Sequence, residues 1–222
     1  MKKTALIFLA FFGLILLAPH AVSAQLKQER IKASYLLAIG RLPTDAELTW
    51  WGQQNDYTVA QLVEAHRTYM NVTNKNSKAD PIKQTYNIVF GRDPQPAETE
   101  YWKGRNEVCW EMIPQHVNYL NQNKFLYDDV INRAYNLMFS KAPDAAQLNR
   151  WKSQPIRSYA EIIYLLYSNP PAGYSINPSN LFTALKYYSD FSMVSFSAPV
   201  VAEVSAITGG ADLYSKFKQG IR

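Results

Sequence analysis

Three stretches of this chain place apolar residues at i, i+4 and i+8: Ile31, Tyr35 and Ile39, then Ile82, Tyr86 and Phe90, then Ile131, Tyr135 and Phe139. That interval returns a side chain to one face of an α-helix, so each stretch predicts a helix with a buried stripe. One phrase surrounds all three. It runs from Tyr35 to Pro43 with Trp51 beyond, from Tyr86 to Pro94 with Trp102 beyond, and from Tyr135 to Pro143 with Trp151 beyond. Tyr and Trp stand 16 residues apart every time, and successive phrases are offset by 51 and 49 residues. Three of the five Trp in one register predict an internal repeat.

The punctuation inside each phrase predicts where helices stop and restart. Gly40 and Gly91 fall where the first helix must end, because glycine takes a left-handed backbone there without strain. Ser140 breaks the pattern, and the third corner is expected to close differently. Pro43, Pro94 and Pro143 forbid continuation. A short second helix restarts from capping boxes at Thr44-x-x-Glu47 and Asp144-x-x-Gln147, and from Pro96 in the middle phrase. Ala46, Ala97 and Ala146, five residues before each Trp, are expected to let helices approach while the indole fills the gap. A third helix follows from boxes at Thr58-x-x-Gln61 and Ser158-x-x-Glu161, seven residues past Trp51 and Trp151. The same count from Trp102 lands on Cys109, which predicts a cap lost or moved to Asn106.

The third-helix stripes read Val59, Leu62, Val63 and His66, then Trp110, Ile113 and Val117, then Tyr159, Ile162, Ile163 and Leu166. Pro114 predicts a kink or an early start in the middle one. Asp80-Pro81 opens the middle phrase's first helix, after a polar linker over Asn71 to Lys78. The fold expected is all-α: three tandem helical repeats of about 50 residues, at 25–78, 79–125 and 126–170, and a helical cap at 171–222. Helices are expected there over Leu181 to Met193, from Ser197-Ala-Pro199 toward Gly209-Gly210, and over Ala211 to Lys218. A stacked array needs such a closing unit to cover its last apolar face.

The opening residues read as an address. Lys2 and Lys3 precede an apolar run from Ala5 to Leu17 and a small-residue end, Ala21-Val-Ser-Ala24. This is the order of a bacterial secretory signal over 1–24, cleaved near Ala24, and its apolar run is short for a membrane span. A periplasmic or secreted chain without stable membrane insertion is therefore expected. Loss of Lys2 and Lys3 lowers the formal net charge from +5 to +3, and the remaining cations are scattered, which argues against nucleic acid. Cys109 is the only cysteine; it reads as a small buried hydrophobe, with an intermolecular bridge as the runner-up.

Catalytic chemistry is sparse. His66 and His116 have no second ligand at metal spacing and read as core histidines, so no metal or cofactor is expected. No Gly-rich phosphate loop or serine nucleophile elbow occurs. Glu98, Glu100, Glu107, Glu111 and the pair Asp128-Asp129 are the acids that could flank a glycosidic bond. The candidate binding residues are Arg41, Arg92 and Lys141, three equivalent cations able to grip an anionic polymer, together with Trp102. The plainer reading makes the cations partners of helix carbonyls packed over the Trp faces, with Tyr35, Trp51, Tyr86, Trp102, Tyr135 and Trp151 as core.

The phrase Tyr, Gly-Arg-x-Pro and Tyr-Trp resembles a bacterial extracellular repeat domain of unknown function, similar in fold to the phycobilisome linker domain. Gly91-Arg92-Asp93-Pro94 with Tyr101-Trp102 carries the likeness best. The first phrase has Trp50-Trp51, and the third has Ser140-Lys141 and Arg150-Trp151. The resemblance covers roughly residues 26–168 and implies helical modules of secreted, surface-layer and matrix-associated proteins. The function expected is a non-catalytic interaction or scaffold module for a protein partner or an extracellular polysaccharide. Two alternatives stand beside it: a glycan-acting enzyme using the acids of the middle phrase, and a self-assembling surface or matrix subunit using Tyr-rich faces. If the indoles are core, Trp102→Ala costs about 3–5 kcal/mol in a thermal or urea melt; a near-silent substitution places Trp102 on a surface.

Overall fold

A computed structural model of the chain describes residues 23–180 and 195–209. Most of the expected export signal lies outside the described residues, as do the expected helices Leu181 to Met193 and Ala211 to Lys218. The described residues are all-α, without a strand among them. α1 covers 23–38, α2 Asp45–Gly52, α3 Val59–Thr68, α4 Ala79–Phe90, α5 Pro96–Lys103 and α6 Cys109–Gln122. α7 covers Lys124–Phe139, α8 Ala145–Lys152, α9 Tyr159–Ser168 and α10 Ala198–Ile207. Among the described residues no helix is long and apolar enough to cross a membrane.

The 3.6-residue periodicity carries through to packing. Ile31 and Tyr35, Ile82, Tyr86 and Phe90, and Ile131, Tyr135 and Phe139 are all buried, while Ile39 lies just past the end of α1 and is half-buried. The short helices bury little: Trp102 in α5, Trp151 in α8, and Trp51 only partly. Ala46, Ala97 and Ala146 are exposed, so the expected close approach of helices does not occur there. Five residues turn an α-helix through about 140° beyond a full circle, which puts these alanines nearly opposite the inward Trp.

The corners are the junctions of the fold. Gly40 and Gly91 take the left-handed backbone, with φ of 85° and 65°. A Cβ on Gly91 would lie 2.5 Å from the Tyr159 ring, and one on Gly40 would lie 2.7 Å from Cys109 Sγ. Cys109 and Tyr159 are the first residues of α6 and α9, so each glycine corner seats on the third helix of the following phrase. Ser140 adopts φ 51°, the same conformation that glycine takes at the other two corners. Its hydroxyl accepts a hydrogen bond from Asn177 Nδ2 at 2.7 Å, which helps to hold a serine where glycine is favoured.

The start of α6 corrects the sequence register. Trp51 to Val59 and Trp151 to Tyr159 each span eight residues, but Trp102 to Cys109 spans seven. Cys109 is therefore a first helical residue, matching Val59 and Tyr159, and Val108 takes the cap position. Glu111 accepts the Val108 N–H at 3.0 Å, so neither Cys109 nor Asn106 caps the helix. The buried stripe consequently runs through Cys109, Met112, Ile113, His116 and Leu120, with Trp110 and Val117 only half-buried. α6 starts five residues before Pro114 and continues through it to Gln122. Cys109 is wholly buried, and burial pushes its thiol up to about 12, an inert small hydrophobe rather than a bridge former.

The stretch Asn71 to Lys78 is wound rather than loose. A π-helical turn over Tyr69–Thr73 and a 3₁₀ turn over Lys75–Lys78 lead straight into α4, so Asp80 lies in the first turn instead of capping it. Lys78 is fully buried, and its ammonium donates to Asn71 Oδ1 and to the Arg105 carbonyl at the far end of α5. Lys27, likewise eight residues before its phrase's Tyr, donates to the Gln54 and Gly52 carbonyls. At the matching place in the third phrase, the Tyr127 hydroxyl accepts the Arg157 N–H at 3.3 Å.

The closing helix lies where the sequence does not put it. α10 packs against α3, on the first phrase. Glu203 accepts the Val59 N–H at 2.8 Å and pairs with Arg30 at 2.8 Å, while the Ser197 N–H and hydroxyl donate to Glu29 at 2.8 and 2.6 Å. The end of α7 is covered instead by Tyr174, Asn177 and Asn180, whose contacts reach Phe139, Met138 and Leu137. Gly91→Ala combines a left-handed strain with a clash against Tyr159 and is expected to cost about 2–5 kcal/mol in a urea melt. Gly52→Ala, at a helical position with open space around the new Cβ, should hold the midpoint or raise it slightly.

Candidate functional site

Each phrase builds the same junction, in which the third helix closes over the Tyr of the first helix and the Trp of the short one. The indole N–H of Trp51 donates to the Tyr35 hydroxyl at 3.2 Å, and that of Trp151 donates to Tyr135 at 3.1 Å. In the middle phrase Trp102 lies close enough to the Tyr86 hydroxyl to oppose the rise in pKa that burial causes there. In the first two phrases a histidine lies edge-on to this pair: His66 with ring centroids 4.5 Å from Tyr35 and 5.2 Å from Trp51, and His116 4.6 Å from Tyr86 and 4.7 Å from Trp102. Each imidazole Nε2 meets a buried hydroxyl, Ser34 at 3.3 Å or Thr85 at 3.1 Å. Burial pushes both imidazoles down to about 4, so both are neutral at pH 7. Among the described residues no group of three His, Cys, Asp or Glu could hold a metal ion.

The candidate cations are engaged by the protein itself. Arg41 makes a two-pronged contact with Glu47 at 2.8 and 2.9 Å, and Arg92 does so with Glu98 at 2.7 Å on both prongs. Both guanidiniums lie over tyrosine rather than Trp faces, Arg41 5.6 Å from the Tyr35 centroid and Arg92 5.2 Å from that of Tyr86. The Arg41 hydrogen bonds hold Glu47 at about 2. For Glu98, burial is the largest single influence and opposes the charged form, yet the Arg92 bonds, the Gln95 N–H and the Arg92 charge together outweigh it and lower its pKa. Each carboxylate also accepts the cap N–H of its short helix, from Thr44 or Gln95, both at 2.7 Å.

The third phrase replaces both polar pairs together. Lys141 and Gln147 stand where Arg and Glu stand elsewhere, and Ala134 and Leu166 occupy the places of the hydroxyl and the histidine. The expected capping box is half formed: Asp144 accepts the Gln147 N–H at 2.8 Å, but the Gln147 side chain accepts the Tyr135 hydroxyl at 3.0 Å instead of closing back. Tyr174 does the remaining work. Its hydroxyl accepts the Asp144 N–H at 2.9 Å, its ring packs 5.2 Å from both Tyr135 and Phe139, and Lys141 Nζ sits 4.6 Å above it. Tyr174 lies beyond the phrase, where no spacing rule points to it.

The middle junction opens into a cleft of about 530 Å³ between α5 and α6. Trp102 and His116 line its floor, Gln115, Asn118 and Gln122 supply amides, and Tyr101 and Tyr119 line its mouth at 58% and 50% exposure. The first phrase carries exposed Trp50 and Tyr69 at the corresponding positions. Sequence reading singled out Trp102 but passed over these walls, although Tyr69 and Tyr119 each stand three residues after the histidine on its helix. Glu98 is the one carboxylate among the cleft-lining residues. The other candidate acids of the middle phrase are paired: Glu100 with Lys103 at 2.9 Å, Glu107 with Arg105 at 2.8 Å and Glu111 with Arg67 at 2.8 Å. Asp128 pairs with Lys152 at 3.0 Å, away from the cleft.

Compared with family models, curated proteins and solved structures, the chain matches none.

The two histidines set an acid window. Between about pH 6.5 and 4 the unfolded chain binds protons on His66 and His116 while the folded chain does not, so stability falls as pH drops through that range. The loss is expected to approach about 3 kcal/mol per histidine. The double substitution Ser34→Ala, His66→Leu, which copies the apolar pair of the third phrase, should remove half of this dependence in melts compared at pH 7 and pH 4.5.

Proposed function

We propose that this chain is an exported, non-catalytic interaction protein built from three tandem helical units of about 50 residues, and that the cleft between α5 and α6 grips an extracellular polysaccharide. The observation that carries this reading is the pair of half-exposed phenol rings, Tyr101 and Tyr119, above a floor of buried Trp102 and neutral His116. Flat aromatic walls offer faces to sugar rings, and the Asn118 and Gln122 amides carry both donors and acceptors for hydroxyls, while Gln115, whose amide N–H groups donate to Glu107 and to the Glu111 carbonyl, adds an acceptor oxygen. The volume lies within the range of about 300–1,000 Å³ in which small ligands are held.

A binding role, rather than hydrolysis, is supported by how the acids are used. Glu98 is spent on Arg92 and a cap N–H, and Glu100, Glu107 and Glu111 are each ion-paired. A glycosidase needs two carboxylates about 5–10 Å apart across one bond, one of them able to hold a proton near neutrality. Glu98, Glu107 and Glu111 all have lowered pKa values, which suits permanent anions. Export is supported by the basic, apolar and small-residue order of the first 24 residues. The likeness of the Gly-Arg-x-Pro and Tyr-Trp phrase to secreted repeat modules points the same way.

A glycan array, followed by calorimetric titration of whichever neutral oligosaccharide binds, tests the proposal. Tyr101→Ala and Tyr119→Ala should each weaken that affinity about tenfold or more, with melting points nearly unchanged as expected of exposed residues. A silent array, alongside capture of a protein partner that depends on the same two tyrosines, would transfer the cleft to protein recognition.

A further inference from the structure

The corresponding cleft of the third phrase has a different chemistry. Between α8 and α9 lies a smaller cavity of about 150 Å³, lined by Trp151, Leu165, Gln147, Gln154, Arg150 and Arg157 among others. Arg150 stands where the middle phrase has Tyr101, immediately before the Trp. Arg157 stands where it has Glu107, immediately before the cap of the third helix. Gln147 replaces Glu98. At these three positions two acids and a phenol become two cations and a neutral amide.

Those cations are under-used by the protein. Arg150 is exposed and makes no ion pair or side-chain hydrogen bond among the described residues. Arg157 reaches only Glu161, at 4.0 Å, and that carboxylate already accepts the Ser158 N–H and hydroxyl. The Arg157 Nε–H is buried and has no hydrogen-bond partner among the described residues. A buried donor left unpaired is costly, and a turn of the Arg157 side chain toward an anion in the cavity would relieve that cost. Gln147 reinforces the polarity, because its oxygen already accepts the Tyr135 hydroxyl while both of its amide N–H groups are left to face a ligand.

We infer that the cleft between α8 and α9 is a carboxylate site, taking the uronate groups of an acidic polysaccharide through Arg150 and Arg157. The uronate assignment rests on the reading of the α5–α6 cleft as a sugar site, since both clefts pair a Trp floor with amides. The volume admits one charged group rather than a length of chain, so the anion is the part recognised. Guanidinium matches carboxylate in a planar two-pronged contact, which an ammonium cannot copy.

The test is a titration of the purified protein with oligogalacturonate, with a neutral oligosaccharide of equal length, and with an acidic peptide. Oligogalacturonate should bind, weaken as salt rises, and lose tenfold or more in affinity in Arg150→Gln and again in Arg157→Gln. Arg150 is a surface residue, so Arg150→Gln separates binding from folding; Arg157→Gln counts only with an unchanged melting point. Binding unaffected by Arg150→Gln, no binding at millimolar oligogalacturonate, or tighter binding of the acidic peptide through the same arginines would each overturn the inference. A uronate site lost in Arg150→Gln while neutral sugars fail everywhere would sink the α5–α6 proposal alone, and the converse would sink only this one.

Discussion

The architecture depends on a buried exchange between two polar handles. A tyrosine hydroxyl and an indole N–H can each enter a core only with a partner, and here each is the other's partner, at 3.2 Å for Tyr35 with Trp51 and 3.1 Å for Tyr135 with Trp151. The bond fixes where the short helix lies against the long one. An eight-residue helix such as α2, which buries no residue completely, has too little apolar area to dock by itself. The aromatic anchor supplies both the area and the direction, and the constant interval between the two residues is the length of chain needed to turn the corner and come back.

Around that anchor, the polar groups change in linked pairs. A hydroxyl and an imidazole are kept together at Ser34 with His66 and at Thr85 with His116, and both are absent at Ala134 with Leu166. The same holds for the guanidinium and carboxylate of the first two phrases, which give way jointly to Lys141 and Gln147. For the buried hydroxyl and imidazole the reason is the asymmetry of burial: removing one partner strands the other without water, whereas removing both is nearly neutral. Tyr174 shows the third way out, a residue from another part of the chain that caps the same N–H and covers the same ring.

Much of this was readable in advance, because helix periodicity, left-handed corners, and Thr44, Thr58 and Ser158 capping are local properties of a few consecutive residues. The failures came wherever a distant contact or a single missing residue decided the outcome. Counting from Trp102 misplaced the α6 stripe by one position, since the loop there is one residue shorter. Lys78, polar in a polar stretch, gave no sign of being drawn inward by a carbonyl 27 residues ahead. The cleft was half legible: its floor was found through Trp102, but exposed Tyr101 and Tyr119 are set by which way α5 and α6 face, and Arg150 and Arg157 become notable only once Arg41 and Arg92 are seen to be satisfied.

The seating of α10 on the opposite end of the chain has a bearing on how the molecule assembles. Contacts from Glu29 and Arg30 span 168 and 173 residues to Ser197 and Glu203, among the longest loops a chain of this size can close. Such closures are entropically expensive and slow. During synthesis the surface of α1 and α3 therefore waits for residues 168 and 173 positions further along before it is complete, and a nascent chain exposes α3 until then.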